Sequence, residues 1–106
     1  MIPLEEIQAY AQEIARRFSP ERIILFGSYA NGTSQPGSDV DMLVVLPFEG
    51  SMLDKSLEIL RATNPRFPID LLAKTPQLIQ AKKEAGDFFI NDILSQGKTL
   101  YERGNA

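Results

Sequence analysis

The sequence contains no cysteine and no histidine, and these two absences limit the chemistry open to its 106 residues. Without cysteine, the chain has no disulfide, no thiolate nucleophile and no thiolate metal site. Without histidine, it has neither a Ser-His-Asp triad nor an imidazole metal ligand. Side-chain catalysis is therefore left to carboxylates, hydroxyls, amines and guanidiniums, the groups used in Mg²⁺-assisted chemistry on phosphates.

Positive charge and long apolar runs are also scarce. The chain has 11 Lys and Arg against 14 Asp and Glu, a net charge of −3, which argues against binding nucleic acid by neutralising its backbone. No apolar run approaches the ~20 residues of a membrane span. Residues 1–6 lack the basic and apolar blocks of a signal peptide. We therefore expect no membrane association, no direct nucleic-acid binding and a cytoplasmic location.

What is present is typical of a single small domain over residues 1–106, with 43% hydrophobic and 24% charged residues. Apolar residues at helical spacing predict a helix from Leu4 to Phe18 and a second helix that buries Leu53, Leu57 and Leu60. Further helices are predicted after residue 75 and around residues 89–94. Phe88-Phe89 and Tyr101 are interpreted as core or interface residues rather than base-stacking groups.

Apolar, β-branched runs predict the strands. They lie at residues 22–26, 39–46 and 67–73, with a small terminal strand at 98–102. A short helical turn is expected at residues 29–32, and a loop with a Pro-Gly turn at 33–38. The fold class is therefore α/β (α+β), a small β-sheet flanked by helices.

The strand predicted at 39–46 opens with Asp39-Val40-Asp41. Side chains alternate along a strand, so residues i and i+2 share a face and the two carboxylates project together. Adjacent like charges raise one pKa unless a cation neutralises them, and Mg²⁺ prefers carboxylate ligands. The alternative is a solvated strand start, and Asp-x-Asp taken alone favours that alternative.

Asp70 stands between Ile69 and Leu71 in an apolar strand, where an unpaired buried carboxylate would be costly. It marks either the exposed face of an edge strand or a third carboxylate beside Asp39 and Asp41. Three such carboxylates can hold two metal ions roughly 3.5–4 Å apart, which activate an attacking oxygen and stabilise a leaving phosphate.

Gly27-Ser28 lies where a predicted strand turns into a helical segment. Glycine lets the backbone approach a phosphate closely, the first N–H groups of a helix attract anions, and Ser28 adds a hydroxyl donor. A Gly-Ser pair alone is equally typical of a plain tight turn. What favours a function is the order of the segments: strand, Gly-Ser, ten residues, Asp-x-Asp, then a later strand with one Asp.

In this order, residues 26–32 (FGSYANG) and 38–45 (SDVDMLVV) resemble the minimal nucleotidyltransferases of the polymerase-β superfamily. Their signature is Gly-Ser, ten residues and Asp-x-Asp, and residues 27–41 match it without a gap. The resemblance covers about residues 22–73 and implies a polymerase-β-type fold with a small mixed sheet. One position departs from it, because members often carry Arg where this chain has Asn31, which supplies no charge for phosphate.

The resemblance implies a role for each matched residue. Gly27 and Ser28 would bind the nucleotide triphosphate. Asp39 and Asp41 would bind Mg²⁺, and Asp70 would bind the catalytic metal and help to deprotonate the acceptor hydroxyl. The reaction would transfer a nucleoside monophosphate to a hydroxyl and release pyrophosphate.

The family also suggests an acceptor, because small members of this kind are typically encoded with HEPN-domain proteins as antitoxins. The resemblance thus implies transfer of AMP from ATP to a tyrosine of a HEPN ribonuclease toxin, within a heteromeric complex. Two alternatives stay open: an antitoxin that neutralises the toxin by binding alone, and a nucleotidyltransferase with a small-molecule acceptor. The lack of residues for a separate acceptor-binding domain counts against the latter.

Overall fold

A computed structural model describes residues 1–104 of the chain. It contains five helices and four strands. In chain order these are α1 (Leu4–Phe18), β1 (Arg22–Phe26), α2 (Ser28–Asn31), β2 (Val40–Val45), α3 (Met52–Thr63), β3 (Ile69–Lys74), α4 (Pro76–Glu84), α5 (Phe88–Gln96) and β4 (Lys98–Glu102). None of the helices in this range is both long and apolar enough to cross a membrane.

The four strands form one mixed sheet in the order β3-β2-β1-β4. β1 pairs antiparallel with β2 and with β4, whereas β2 and β3 run parallel. The parallel pair requires a crossover, which α3 supplies. The prediction of an α/β (α+β) fold with a small mixed sheet flanked by helices is confirmed.

Helices cover both faces of the sheet. On one face, α1 and α3 pack on side chains that include Ile23, Met42 and Val44. On the other face, α4 and α5 pack on Ile24 and Leu43. Because both faces are covered, the central strand β2 is buried at every position except Asp41, which is half-buried.

Local signals place the helix ends where the sequence predicts them. Ser19 follows α1 in the left-handed conformation, Thr75 accepts a hydrogen bond from the Leu78 N–H at 3.2 Å, and Asp87 accepts one from the Ile90 N–H at 3.0 Å. These short-range bonds satisfy N–H groups that the first helical turn leaves without partners.

Three boundary or burial predictions are wrong in detail. β2 begins at Val40, so Asp39 precedes the strand, and β3 begins at Ile69 instead of residue 67. The Leu53 side chain is 68% exposed, and α3 buries Ser56 and Ile59 instead. The face that a helix buries depends on the elements it packs against, which for α3 are α1 and β3. Periodicity alone identifies that face poorly when leucines lie on two sides of the helix.

Ser56 is the one buried polar residue of the described core, and it binds the edge strand β3. Its hydroxyl donates to the Met52 carbonyl at 2.9 Å and accepts from the Ala73 N–H at 3.0 Å. We expect Ser56→Ala to lower the free energy of unfolding by about 1–3 kcal/mol, because it leaves a buried backbone N–H without an acceptor. Urea denaturation measures this loss, and Ser95→Ala, at an exposed position, is the control. Equal midpoints for the two variants would contradict the prediction.

Candidate functional site

Three carboxylates lie at the start of β2 and of β3. Asp41 is the register partner of Asp70 across the parallel β2–β3 pair, although the two are far apart in the sequence. Alternation puts both side chains on the face that holds Leu43 and Leu72, which pack towards α4 and α5. Asp39 lies one residue before β2, and its side chain is exposed.

Asp41 has the most unusual environment of the three. Burial raises the pKa of its carboxyl above the ordinary value of 3.8, and the negative charges of Asp70 and Asp39 raise that pKa further. The charges therefore interact, but within residues 1–104 no three acidic side chains converge into a group that could hold a metal. The Asp39 and Asp70 side chains are both exposed, so rotation about their side-chain bonds is open to them.

Gly27 lies directly against the Asp41 carboxylate. Its backbone has φ 72° and ψ −152°, a conformation that residues other than glycine rarely adopt. A Cβ added to Gly27 would lie 2.1 Å from Asp41 Oδ2. Glycine is therefore required at position 27 for two reasons. It can adopt the backbone conformation of the turn, and its lack of a side chain leaves room for the Asp41 carboxylate.

Gly27 also begins the helical turn α2, which contains Ser28. The Gly27 carbonyl accepts hydrogen bonds from the N–H groups of Ala30 and Asn31 at 3.0 and 3.1 Å. The Ser28 side chain is half-buried, next to the glycine that touches Asp41. The sheet thus brings together Gly27, Asp41 and Asp70. Ser28 follows Gly27 in α2, and Asp39 lies at the end of the loop before β2.

Asn31, which replaces the Arg common in the resembled family, closes the following turn. Its Oδ1 accepts a hydrogen bond from the Thr33 hydroxyl at 2.6 Å and one from the Thr33 N–H at 3.3 Å. The side-chain oxygen is engaged in local structure, and the residue as a whole is exposed. In this chain, position 31 therefore stabilises a turn and brings no positive charge to the site.

The raised pKa of Asp41 predicts a pH-dependent difference in stability. A carboxyl whose folded pKa is raised contributes stability below its unfolded pKa, near 3.8, and loses it as the pH rises through the folded value. In EDTA at pH 7 we therefore expect Asp41→Asn to melt at a higher temperature than the wild type. Lowering the pH below about 3.8 should remove the difference. A wild type that melts higher at pH 7 would contradict the prediction.

A cleft opens beside Asp70. It has a volume of about 280 Å³ and lies between the first turn of α3 and the edge strand β3, with Asp70 in its lining. A larger depression of about 470 Å³ lies along α1, but none of the five predicted site residues lines it. Of these two spaces, only the cleft has a predicted site residue in its lining, and that residue is Asp70.

The sequence interpretation of Phe88-Phe89 as core or interface residues did not place either ring near the site. Phe26 is the register partner of Asp41 across β1 and β2, and its ring meets that of Phe89 edge-on, with centroids 5.8 Å apart. Phe88 is 83% exposed and Phe89 is 49% exposed, so Phe88 is not a core residue of this chain. No local pattern signals this proximity, because it depends on how α5 crosses the sheet.

Comparison with known proteins identifies related sequences. A family model described as a nucleotidyltransferase domain matches residues 7–99. The protein adenylyltransferase MntA of Thermococcus cleftensis is 44% identical over 48 residues, which is 42% of this chain and 48% of MntA. The chain thus spans about half the length of the curated relative it matches.

Solved structures share the fold. A crystal structure from Sulfolobus solfataricus, assigned as a nucleotidyltransferase, aligns with 97% of this chain and 83% of its own, with a TM-score of 0.67 and 20% identity. A toxin–antitoxin structure with AMP-PNP covers 91% of this chain and 73% of its own, with a TM-score of 0.53 and 22% identity. A mutant of the MntA toxin–antitoxin pair has the same coverage, with a TM-score of 0.51 and 20% identity. At these identities, the likeness shows the fold.

Proposed function

Because this chain belongs to the nucleotidyltransferase domain family, we propose that it transfers AMP from ATP to a tyrosine hydroxyl of a HEPN ribonuclease toxin and thereby acts as the toxin's antitoxin. One observation carries the catalytic part of this proposal. Asp41 and Asp70 are register partners on parallel strands, and Gly27 leaves room for the Asp41 carboxylate. We further propose that residues 1–106 act as a single nucleotidyltransferase domain in the cytoplasm.

The five site residues divide into two sets. Gly27 and Ser28 bind the triphosphate of ATP, because the glycine allows close approach and the serine offers a hydroxyl donor. Asp39, Asp41 and Asp70 would hold Mg²⁺ through their carboxylates. The net charge of −3 is compatible with an anionic substrate, because a bound divalent cation would offset the negative charge of both.

The three carboxylates are suitable ligands for Mg²⁺. All three donors are carboxylates, the ligands that Mg²⁺ prefers, and the pKa of Asp41 is raised by burial and by the uncompensated charges of Asp70 and Asp39. A bound cation relieves that repulsion. Bound Mg²⁺ supplies charge neutralisation at the triphosphate and at the acceptor oxygen.

In the transfer step, the acceptor hydroxyl oxygen forms a bond to the α-phosphorus of ATP. The bond between that phosphorus and the oxygen bridging to the β-phosphate breaks, and pyrophosphate leaves with the bonding electrons. The hydroxyl proton passes to the Asp70 carboxylate, which is exposed at the cleft beside β3. The acceptor enters through this cleft, because it gives access to Asp70 from the edge of the sheet.

The proposed partner has support from two sources. The curated relative is named a protein adenylyltransferase, and two of the matching structures are toxin–antitoxin structures. A protein acceptor also agrees with a site that lies at an open sheet edge. We propose a heteromeric complex with the toxin as the form in which transfer occurs.

Intact-mass measurement tests the proposal. The purified protein is incubated with the HEPN protein encoded beside it, ATP and Mg²⁺. We expect the toxin to gain one or more AMP units, and the gain to disappear in EDTA and in Asp39→Asn. Glu102→Gln, at an exposed position on the far edge strand β4, is the matched control and should leave the mass gain unchanged. Modification of an added small molecule in place of the toxin would support the small-molecule alternative.

A binding-only antitoxin is the second candidate, and Asn31 favours it. Its side-chain oxygen is engaged with Thr33, and it brings no charge to phosphate. Toxin neutralisation without any change of mass, surviving both Asp39→Asn and Asp41→Asn, would establish this candidate and overturn AMP transfer.

A further inference from the structure

Phe88 and Phe89, which we call the exposed aromatic pair, stand apart from the other aromatic residues of the chain. They are the only exposed Phe or Tyr residues in the described range, Phe88 at 83% and Phe89 at 49%. Large apolar side chains exposed side by side mark surfaces that bind something. The exposed aromatic pair therefore calls for a ligand with an apolar, flat surface.

The first turn of α5, which carries these two rings, is held in place by a capping hydrogen bond and by a buried side chain. Asp87 precedes the helix, and its carboxylate accepts a hydrogen bond from the Ile90 N–H at 3.0 Å. Ile90 is buried under the helix, among the side chains of the α4–α5 face. The first turn of α5 is thus held at both its backbone and its buried side, so the two rings project from a defined position.

The position of the exposed aromatic pair points to its ligand. The edge-on contact between Phe89 and Phe26, with an interplanar angle of 87°, joins Phe89 to the sheet, and Phe88 precedes it in the first turn of α5. Phe26 is the register partner of Asp41 and directly precedes Gly27. The aromatic surface is therefore continuous with the residues assigned to the triphosphate and the metal, and it lies on the β1 side of Asp41, opposite Asp70 on β3.

We propose that the exposed aromatic pair binds the base of the nucleoside triphosphate by stacking. This inference rests on the proposed function, because it takes the triphosphate to lie at Gly27 and Asp41. A nucleobase fits the surface because it is flat and largely apolar on its faces, and aromatic rings stack on any base. The base and the acceptor then approach from opposite sides: the base over α5 and β1, and the acceptor through the cleft beside β3.

Stacking on phenylalanine also determines selectivity. A phenyl ring offers no hydrogen-bond donor or acceptor, so this surface favours larger rings over smaller ones without reading base edges. We therefore expect ATP and GTP to bind more tightly than CTP and UTP. The discrimination between purines and pyrimidines should decrease when the exposed rings are removed.

Binding titrations in Mg²⁺ test the proposal with ATP and with inorganic tripolyphosphate, which lacks a base. Phe88→Ala is chosen because the side chain is exposed, and Phe89→Leu because it keeps apolar packing against Phe26. We expect each to weaken ATP binding about 5- to 100-fold, from the usual contribution of one stacked base, with tripolyphosphate affinity unchanged. Leu4→Ala, also exposed but on α1, is the matched control and should affect neither ligand.

The outcomes separate this proposal from the proposed function. Equal ATP affinity in the wild type, Phe88→Ala and Phe89→Leu overturns base stacking, and loss of toxin binding in those variants would then assign the surface to the partner. Parallel weakening of ATP and tripolyphosphate also overturns it, as does a wild type that binds no ATP. Selective loss of ATP affinity supports stacking even if the wild type transfers no AMP, a result that would overturn the proposed function alone.

Discussion

Asp41→Asn is expected to lower the rate of AMP transfer by at least about 1,000-fold. The amide supplies no negative charge for Mg²⁺, and Asp41 is the half-buried carboxylate on which the other two charges act. Metal-ion stabilisation of a transition state is worth several kcal/mol, and a loss of roughly 4 kcal/mol corresponds to about three orders of magnitude in rate. The initial rate of pyrophosphate release in the presence of the toxin measures this effect.

A control variant and a folding check separate the charge of Asp41 from a general loss of structure. Glu102→Gln removes an exposed carboxylate from the far edge strand β4, and we expect its transfer rate to stay within about twofold of wild type. Asp41→Asn itself should remain folded, because it removes a carboxylate that is held under like-charge repulsion. A variant that keeps more than a tenth of the wild-type rate would contradict the assignment of Asp41 as a metal ligand.

Gly27→Ala is expected to affect both activity and stability. The backbone conformation at this position costs a residue with a Cβ about 1–3 kcal/mol, and the added Cβ would lie 2.1 Å from Asp41 Oδ2. Either the turn or the carboxylate must therefore move. We expect a loss of at least about 100-fold in transfer rate, because a displacement of about 1 Å at a reacting site can cost that much.

Gly32→Ala is the matched control for this substitution. Gly32 also has a positive φ, 81°, but an added Cβ there meets no atom within 4 Å. It carries the backbone strain alone, about 1–2 kcal/mol, and should keep the wild-type transfer rate. Denaturation and pyrophosphate release are measured on both variants. If Gly27→Ala is as active as Gly32→Ala, the close approach of Gly27 to Asp41 has no catalytic importance.

The order of the elements could be predicted because its signals are local. The side chains of Thr75, before Pro76, and of Asp87, before α5, accept hydrogen bonds from N–H groups three residues later. The start of each helix is therefore determined by residues close to it in the sequence. Contacts between distant segments are harder to predict from the sequence. Leu53 of the predicted buried stripe is exposed, whereas α3 turns Ser56 towards the Ala73 N–H of an edge strand that local periodicity does not describe.

The sequence by itself determined the chemical inventory of the site. With no cysteine and no histidine, the side chains available for catalysis are carboxylates, hydroxyls, amines and guanidiniums, and the spacing of Gly27-Ser28 from Asp39 and Asp41 indicates the family. Their proximity within one strand-turn-strand segment also follows from the sequence, since alternation and short connections act over few residues.

Only the tertiary structure decided which distant residues meet at that site. The parallel register of β2 and β3 places Asp70 opposite Asp41, and the crossing of α5 over the sheet brings Phe89 to Phe26. The physical reason is that strand register and helix packing are selected by burial over the whole core, so no local pattern specifies them. The absence of cysteine and histidine thus limits which side chains are available for catalysis, and the fold determines which of them lie close together.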